Sequence, residues 1–410
     1  MKKQKTLLKS LIVVTLLISG CGGPPQSGGT DADESIFTDA SSEAQADSQA
    51  SDPSEAARRR RYVRVNARVF AKAIGAAEGG ATRVMKLNLF DGESMTIVLE
   101  DVVRLSENNV TATGRIVGDS ESAVTLVQNE DVLLVNVSRG NSDDRFEVRY
   151  VGEGLHKIRE LLPKHDDEDC LEVGAPTASA LIEEETLAQA IAANDLASPL
   201  ATPQIDILGA YTPAARIKVG GTTAIKALIQ LGVADTNRAL ADSGVALTAR
   251  LVGIVAMISN ETGNWSTDLS YLRSKTDNKW NQVHTERARL GADQVSLVVS
   301  SPTGTVAGIG YVNATASSAF TITRTSAFKA YSFSHELGHN LGLNHSDGYV
   351  SSAGRFRTII AYGTYPRVRR FSNPALTYLG YRTGDSSHNE ASILNKNALR
   401  ASSLVTTMVP

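Results

Sequence analysis

Apolar and polar positions alternate along the first third of the chain, as they do in half-buried strands. Val63, Val65 and Val69 alternate with polar residues, and short apolar runs separated by Gly, Asn, Asp and Ser recur at residues 85–90, 95–99, 124–127, 132–137 and 146–151. A period of two residues is typical of strands, and the separating residues are typical of turns. This pattern predicts a small all-β domain over residues 62–160.

The pattern changes after residue 203 to an alternation of element types. An apolar strand is followed by helical stretches and further strands, at residues 205–211, 222–242, 246–257, 267–275, 278–290, 294–300 and 393–404. Strands that alternate with helices indicate α/β layers around a largely parallel sheet. We therefore predict an α/β domain over residues 204–410.

Two segments lack any apolar periodicity. Residues 21–61 are rich in Gly, Ser, Ala, Asp, Glu and Gln, a composition that buries too little surface to fold and predicts a disordered tether. Residues 161–203 combine an acidic stretch, Asp166 to Asp169, with Pro176, Pro199 and Pro203. We interpret this second segment as an exposed linker between the two domains.

The first twenty residues have the features of an export signal. A start rich in lysine precedes a short apolar run, which falls far below the ~20 residues that span a bilayer. The small residues before Cys21 resemble the lipobox of bacterial lipoproteins. That resemblance implies lipidation of Cys21 and anchoring in the bacterial envelope, as an outer-membrane or cell-surface lipoprotein or a form released after processing. The alternative is an ordinary signal peptide with an incidental cysteine.

Composition and charge exclude several classes of protein. The chain of 410 residues is 42% hydrophobic and 21% charged, which is typical of a globular protein. A formal net charge of -3 supplies no overall basic field, so nucleic acid is not an expected partner. The only cysteines are Cys21 and Cys170, so no disulfide framework holds the fold together.

One stretch combines metal-ligating residue types with helical spacing. On a helix, His335 and His339 lie about 40° apart around the axis, so both imidazoles point to one spot. Glu336 is offset by about 100° and is placed to act as a general base rather than as a ligand. Gly342 can adopt the left-handed conformation that ends a helix and returns the chain. The spacing therefore predicts a zinc site of His335, His339 and His345 with an open coordination position.

The sequence from His335 to His345 resembles the extended motif HExxHxxGxxH of metzincin metallopeptidases at every defined position. The flanking residues 331–334, 357–362 and 371–374 resemble those of bacterial reprolysin-like and peptidyl-Asp metallopeptidases. The resemblance implies a metzincin-like α/β (α+β) catalytic domain with a mixed sheet and a zinc-binding helix, preceded by a propeptide-like all-β domain. It also implies a secreted or envelope-anchored zinc metalloendopeptidase that uses one zinc ion to cleave proteins or peptides, with substrate along the sheet edge at residues 308–314.

Two residues after the motif test how far this resemblance extends. Ile360 stands where metzincins place a methionine beneath the zinc, and its similar volume should make it an adequate apolar floor. Tyr362 matches the position at which some members use a tyrosine to stabilise the oxyanion, and a packed structural tyrosine is the alternative.

A rival hypothesis is a degenerate, non-catalytic surface adhesin with a structural zinc, although retention of Glu336 argues against it. A zinc aminopeptidase is a second rival.

Two further sets of residues are candidates for regulation and specificity. Cys170 is a candidate zinc ligand that would keep a zymogen latent; the alternatives are an incidental cysteine, or blocking of the zinc by Asp166 to Asp169.

Arg367, Arg369 and Arg370 belong to the segment that walls the specificity pocket in metzincins. An arginine there would pair with a carboxylate and favour cleavage before Asp. A solvated basic rim is the alternative.

Overall fold

The computed structural model describes residues 35–46, 57–79, 84–162, 170–176, 202–300 and 305–408. The predicted signal segment 1–20, Cys21 and Asp166 to Asp169 lie outside these residues. Across the part of the chain that the structure describes, no helix combines the length and the apolar character needed to cross a membrane.

A nine-stranded antiparallel sheet forms the N-terminal half. Its strand order is β1-β2-β9-β8-β7-β6-β5-β4-β3. The side chain of Asn88 binds the backbone of Phe37 through bonds of 2.7 and 3.0 Å, which brings the two outer strands β1 and β3 together and curls the sheet around an apolar core. The strands are β1 (Phe37–Asp39), β2 (Ala57–Val65), β3 (Val84–Phe90), β4 (Glu93–Ser106), β5 (Asn109–Ile116), β6 (Asp119–Asn129), β7 (Val132–Ser138), β8 (Arg145–Gly152) and β9 (Leu155–Leu161).

The structure differs from the predicted tether of residues 21–61 and from the predicted all-β composition of residues 62–160. Within the tether, β1, a 3-10 turn at Ser41–Ala46 and most of β2 are ordered. The composition of the segment does not indicate these elements, because they depend on contacts with the rest of the sheet. Phe37 is an isolated apolar residue that is buried only against the sheet, and Arg59 of β2 pairs with Glu160 of β9. Helix α1 (Ala67–Glu78) replaces a predicted strand because Phe70, Ile74 and Ala77 recur with helical spacing on one buried face.

A six-stranded mixed sheet forms the second half, in the order β10-β14-β15-β13-β11-β12. Strands β11, β12, β13 and β15 are parallel, and β14 is antiparallel to β15. The mixed α/β content predicted for residues 204–410 is therefore observed. The strands are β10 (Cys170–Gly174), β11 (Gln204–Tyr211), β12 (Thr248–Ala256), β13 (Gln294–Val299), β14 (Gly308–Val312) and β15 (Phe320–Arg324).

Strand β10 lies within the predicted linker 161–203 and nevertheless belongs to the second sheet. It pairs in parallel with the edge strand β14, with Cys170 opposite Gly308 and Gly174 opposite Val312. Its sequence carries no strong strand pattern, and its order comes from backbone hydrogen bonds to β14 and from burial of Cys170. Only a pairing between distant segments creates this strand.

Helix α3 joins the two sheets. The helix is buried on nearly all sides, which is the pattern of a helix between two layers. Its apolar residues share one core with Val127, Val132 and Leu134 of the first sheet, so the two predicted domains form a common core. The helices of the second half are α2 (Pro213–Lys218), α3 (Thr222–Asp242), α4 (Trp265–Arg273), α5 (Gln282–Leu290), α6 (Ser332–Asn340) and α7 (Glu390–Ala401), and two short hairpins pair β16 (Val350–Ser351) with β17 (Phe356–Arg357) and β18 (Thr377–Tyr378) with β19 (Tyr381–Arg382).

Candidate active site

The site is built on helix α6, which packs tightly against α3. Ser334 of α6 and Thr236 of α3 share a hydrogen bond of 2.8 Å between their hydroxyls. A Cβ atom at Gly232 of α3 would lie 2.7 Å from the ring of Phe333, so only glycine permits this approach. The side chain of Leu337 is fully buried on this helix. These contacts hold α6 rigidly, as a site that positions several side chains requires.

Three imidazoles converge at one point. The Nε2 atom of His335 lies 3.1 Å from the Nε2 atoms of both His339 and His345, and the remaining Nε2 pair is 3.2 Å apart. His335 and His339 are fully buried, and His345 is partly buried. The structure therefore brings together the three residues that the spacing predicted.

The other nitrogen of each ring determines its tautomer. Nδ1 of His335 lies 2.8 Å from the carbonyl oxygen of Ile359, and Nδ1 of His339 lies 2.8 Å from that of Leu343. Because a carbonyl oxygen only accepts, both Nδ1 atoms carry the proton and donate it. The two Nε2 atoms therefore present lone pairs to the shared point, the form of imidazole that binds a metal.

The size of the cluster fits a tetrahedral metal ion. Zinc lies about 2.0–2.1 Å from histidine nitrogens, so two ligating nitrogens are about 3.3 Å apart in a tetrahedral site. The observed separations of 3.1 to 3.2 Å match that geometry. Burial lowers the pKa of all three histidines, that of His345 to about 3, which keeps the rings neutral. The three histidines therefore form a candidate metal site.

The chain returns to the site through Gly342. This glycine has a φ of 106°, in the region that L side chains rarely adopt. It follows directly after the last turn of α6, and the amide of Leu343 donates to the carbonyl of Gly338 across a 3.0 Å bond. The left-handed turn reverses the chain, so that His345 faces the helix it has just left.

Ile360 forms the apolar floor beneath the cluster. It is fully buried, and a Cβ atom at Gly338 would lie 2.8 Å from its Cδ1 atom. The carbonyl of the preceding residue, Ile359, accepts the Nδ1 proton of His335. The turn that contains Ile359 and Ile360 therefore packs against α6 and orients His335, although it has no methionine.

Glu336 lies fully buried between α6 and the edge strand β14. Neither of its carboxylate oxygens has a hydrogen-bond partner of normal geometry among the described residues. Burial raises the pKa of Glu336 to about 8, against the opposing effects of Cys170 and the charge of Arg367. A Cβ atom at Gly308 would lie 2.7 Å from the Cγ and Cδ atoms of Glu336, so glycine in β14 leaves the space that the carboxylate occupies. A carboxyl group with a pKa near neutrality is suited to accept and return a proton.

Strand β10 covers the cluster with its cysteine. The Cys170 thiol, a nitrogen of His335 and a carboxylate oxygen of Glu336 all lie within 4.8 Å of one another. Cys170 is buried and belongs to no disulfide. The sheet edge at residues 308–314 is predicted to receive substrate, and its residues 308–312 are paired with a segment from the predicted linker.

Tyr362 lies at the open side of the cluster. Its ring stacks on His345 with centroids 3.9 Å apart, and its hydroxyl donates to the carbonyl oxygen of Cys170. The side chain is 42% exposed, which differs from the alternative of a packed structural tyrosine. Its hydroxyl already binds a peptide carbonyl next to the histidines.

Glu172 of β10 is a site residue that sequence reasoning missed. Its Oε2 atom lies 3.1 Å from both the backbone nitrogen and Nδ1 of His345. The carboxylate thus orients the third imidazole in the way the two carbonyls orient the others. The two residues are 173 positions apart, and no local signal identifies Glu172 before β10 is known to pair with β14.

The three arginines of the predicted specificity pocket have different surroundings. Arg369 donates to Thr125 over 3.0 Å and lies 3.5 Å from Asp242, while Arg370 lies 2.7 Å from Glu121. These two guanidinium groups hold the N-terminal sheet and α3 together, which differs from their predicted role. Arg367 is buried beside the start of α6 and forms no such pair.

The second half of the chain matches known metallopeptidases. A family model described as Metallo-peptidase family M12B Reprolysin-like matches residues 202–389. Over 218 residues the chain is 34% identical to the peptidyl-Asp metalloendopeptidase of Stenotrophomonas maltophilia (strain R551-3), covering 47% of this chain and 51% of that protein. Over 213 residues it is 32% identical to the peptidyl-Asp metalloendopeptidase of Xanthomonas campestris pv. campestris, covering 47% and 50% respectively. The chain thus spans about half the length of the curated relatives it matches.

Among solved structures, the chain is similar to metalloproteinase-II from Bacteroides fragilis, at 12% identity and a TM-score of 0.40 over 74% of this chain and 87% of that one. The family match includes the three histidines and Glu336. The region of residues 202–389 is therefore similar to the M12B reprolysin-like metallopeptidases.

Proposed function

We propose that this protein is a zinc-dependent metalloendopeptidase that is made in a latent form and cleaves peptide bonds on the N-terminal side of Asp. The observation that carries the proposal is the convergence of three imidazole lone pairs beside the buried carboxyl group of Glu336. A structural zinc site in a binding protein would not need such a carboxyl group, and burying one costs stability. The arrangement therefore favours an enzyme over an adhesin.

The chemistry divides between the metal and the chain. One zinc ion held by His335, His339 and His345 would supply a Lewis acid and lower the pKa of the water that attacks the peptide. Glu336 accepts a proton from that water and returns it to the nitrogen of the departing amine. Tyr362 donates its hydroxyl proton in a hydrogen bond to the carbonyl oxygen of the cleaved bond, where negative charge develops.

The sheet edge supplies the binding surface for an extended substrate. Strand β14 already pairs with an extended segment, β10, along residues 308–312. A substrate strand that replaces β10 would use the same backbone groups and place one of its carbonyls at the hydroxyl of Tyr362, as Cys170 does. This geometry suits an endopeptidase, because the sheet edge can receive the middle of an extended chain.

Cleavage before Asp is supported by the relatives, which are named for action on peptidyl-Asp bonds. We expect the full chain, after maturation and with zinc, to cleave a proteome-derived peptide library so that the new N-termini are enriched in Asp. Mass spectrometry of the products, with and without a chelator, makes the measurement. A profile enriched in large apolar residues would contradict the Asp preference, and cleavage that persists in the chelator would contradict the zinc mechanism.

Latency follows from the position of β10. The strand covers the substrate edge and places the thiol of Cys170 beside the candidate metal site. Thiolate is a strong zinc ligand, so Cys170 would fill the coordination position that catalysis needs. Because β10 precedes β11 in the chain, a cut between Gly174 and Gln204 would free the edge while leaving the second sheet otherwise intact.

Replacing Cys170 with Ser in the full chain should raise its basal cleavage rate, because serine is a much weaker zinc ligand than thiolate. The measurement compares initial rates before any processing, with chain integrity followed by mass spectrometry. Leu171→Ser is the matched control, since Leu171 is partly exposed on the same strand and its loss leaves the thiol in place. Cobalt in place of zinc should show a thiolate charge-transfer absorption that disappears in Cys170→Ser. An unchanged rate and an unchanged spectrum would exclude Cys170 as the switch.

Export and envelope anchoring complete the proposal. They are supported by the sequence of residues 1–21 alone, with its basic start, short apolar run and lipobox-like end at Cys21. Metabolic labelling with a lipid precursor would test the anchor, because a Cys21→Ser variant should lose the label.

A further inference from the structure

Arg367 is a buried cation that forms no ion pair with any of the described residues. Its side chain is 1% exposed, and its Nη1 atom donates to the carbonyl of Ala330 over 2.9 Å and lies 3.5 Å from the hydroxyl of Ser332. Within the described residues, Nε and Nη2 are buried and have no hydrogen-bond partner. Two donor nitrogens of this guanidinium group are therefore buried without an acceptor among the described residues.

The surroundings of Arg367 make this cation costly. Ser332 begins helix α6, and the start of a helix carries partial positive charge that disfavours a second cation. A buried charge without a partner destabilises a protein. An arrangement that combines both penalties is best explained by an anion that binds there during function.

Arg367 also lies close to the catalytic groups. It contacts Ala330, just before helix α6, and Ser332, which lies about one helical turn before His335 and Glu336 on that helix. A ligand group bound by Arg367 would therefore lie near the reacting bond.

The neighbouring arginines lack these features. Arg369 and Arg370 pair with carboxylates of α3 and the N-terminal sheet. Arg357 donates to the carbonyls of Tyr365 and Ala361, over 2.9 and 2.6 Å. Of the arginines in this segment, Arg367 is the one that combines burial with a free pair of donors.

We propose that Arg367 is the specificity-determining residue, which binds the side-chain carboxylate of the residue that follows the cleaved bond. Nε and Nη2 form one edge of the guanidinium plane, and that edge matches the two oxygens of a carboxylate in a bidentate pair. An asparagine in place of the aspartate offers one oxygen and no charge, and leaves a buried donor unpaired. This inference rests on the proposed peptidase function, because it concerns that enzyme's substrate.

The test compares three peptides that differ only in the residue after the cleaved bond, which is Asp, Asn or Leu. With matured, zinc-loaded protein, we expect kcat/KM for the Asp peptide to exceed that for the Asn peptide by roughly 10- to 150-fold. In Arg367→Met, the ratio should fall to about 1 while cleavage of the Leu peptide continues. Arg355→Met is the matched control, because Arg355 is an exposed arginine in the same segment, and it should keep the original ratio.

An unchanged Asp to Asn ratio in Arg367→Met would overturn the inference, as would a ratio near 1 in the original protein. If Arg367→Met does not fold, Arg367→Lys provides a second variant. It keeps the charge but removes the planar pair of donors, so it should lower the Asp to Asn ratio. An unchanged ratio in Arg367→Lys would also overturn the inference. Inhibition by product peptides gives a second readout, in which a peptide beginning with Asp should inhibit the original protein more strongly than one beginning with Asn. Failure of the original protein to cleave any peptide would instead contradict the proposed function.

Discussion

Replacing Glu336 with Gln is expected to reduce peptide cleavage by roughly 10²- to 10⁴-fold and to leave the zinc content at one ion per chain. The amide has nearly the same size as the carboxylate, so the fit between α6 and β14 is preserved, but the amide cannot accept the proton of the attacking water. Glu336 binds no metal in the proposed site, and the three imidazoles remain unchanged. Initial rates and metal analysis of the same preparation make the measurement.

The matched control for this substitution is Glu390→Gln. Glu390 is another fully buried glutamate, at the start of α7, and burial raises its pKa to about 7. Its carboxylate accepts a hydrogen bond from the backbone N–H of Ser372, and its own backbone N–H donates to the Ser372 hydroxyl. We expect Glu390→Gln to change stability with little effect on cleavage per folded molecule. Equal turnover of Glu336→Gln and the original protein would remove the general base from the mechanism.

Removing the metal is expected to abolish cleavage, and restoring zinc should recover it. His339→Gln should have the same effect without a chelator, because loss of one imidazole leaves two neutral ligands and an incomplete coordination shell. The stability of the protein provides a separate readout. At zinc concentrations about 1,000 times the dissociation constant, binding should raise the free energy of unfolding by about 4 kcal/mol, and His339→Gln should lose this gain.

His388→Gln is the control for the ligand variant. His388 is paired with Asp385 over 2.8 Å at a partly exposed position away from the cluster. It should retain the zinc content, the cleavage rate and the zinc-dependent gain in stability. Zinc binding by His339→Gln that equals the binding of the original protein would contradict the assigned ligand set.

The sequence by itself determined the parts of the site that depend on local geometry. The four-residue spacing of His335 and His339 requires only the period of a helix, and the structure places both on α6. Gly342 was identified from the conformational freedom of glycine, and its φ of 106° agrees with that reasoning. Helix α3 over residues 222–242 was likewise predicted from a local pattern, because sustained helical periodicity is a strong signal.

The tertiary structure alone decided which distant residues complete the site. Cys170 and Glu172 reach the histidines because β10 pairs with β14, and a strand register between distant segments depends on packing that no short sequence pattern contains. Arg367, Arg369 and Arg370 are nearly equivalent as sequence. Their burial and partners separate two arginines that join the N-terminal sheet to α3 from one whose Nε and Nη2 atoms have no hydrogen-bond partner among the described residues. The physical reason is that charge pairing is set by spatial neighbours, and those neighbours lie far away along the chain.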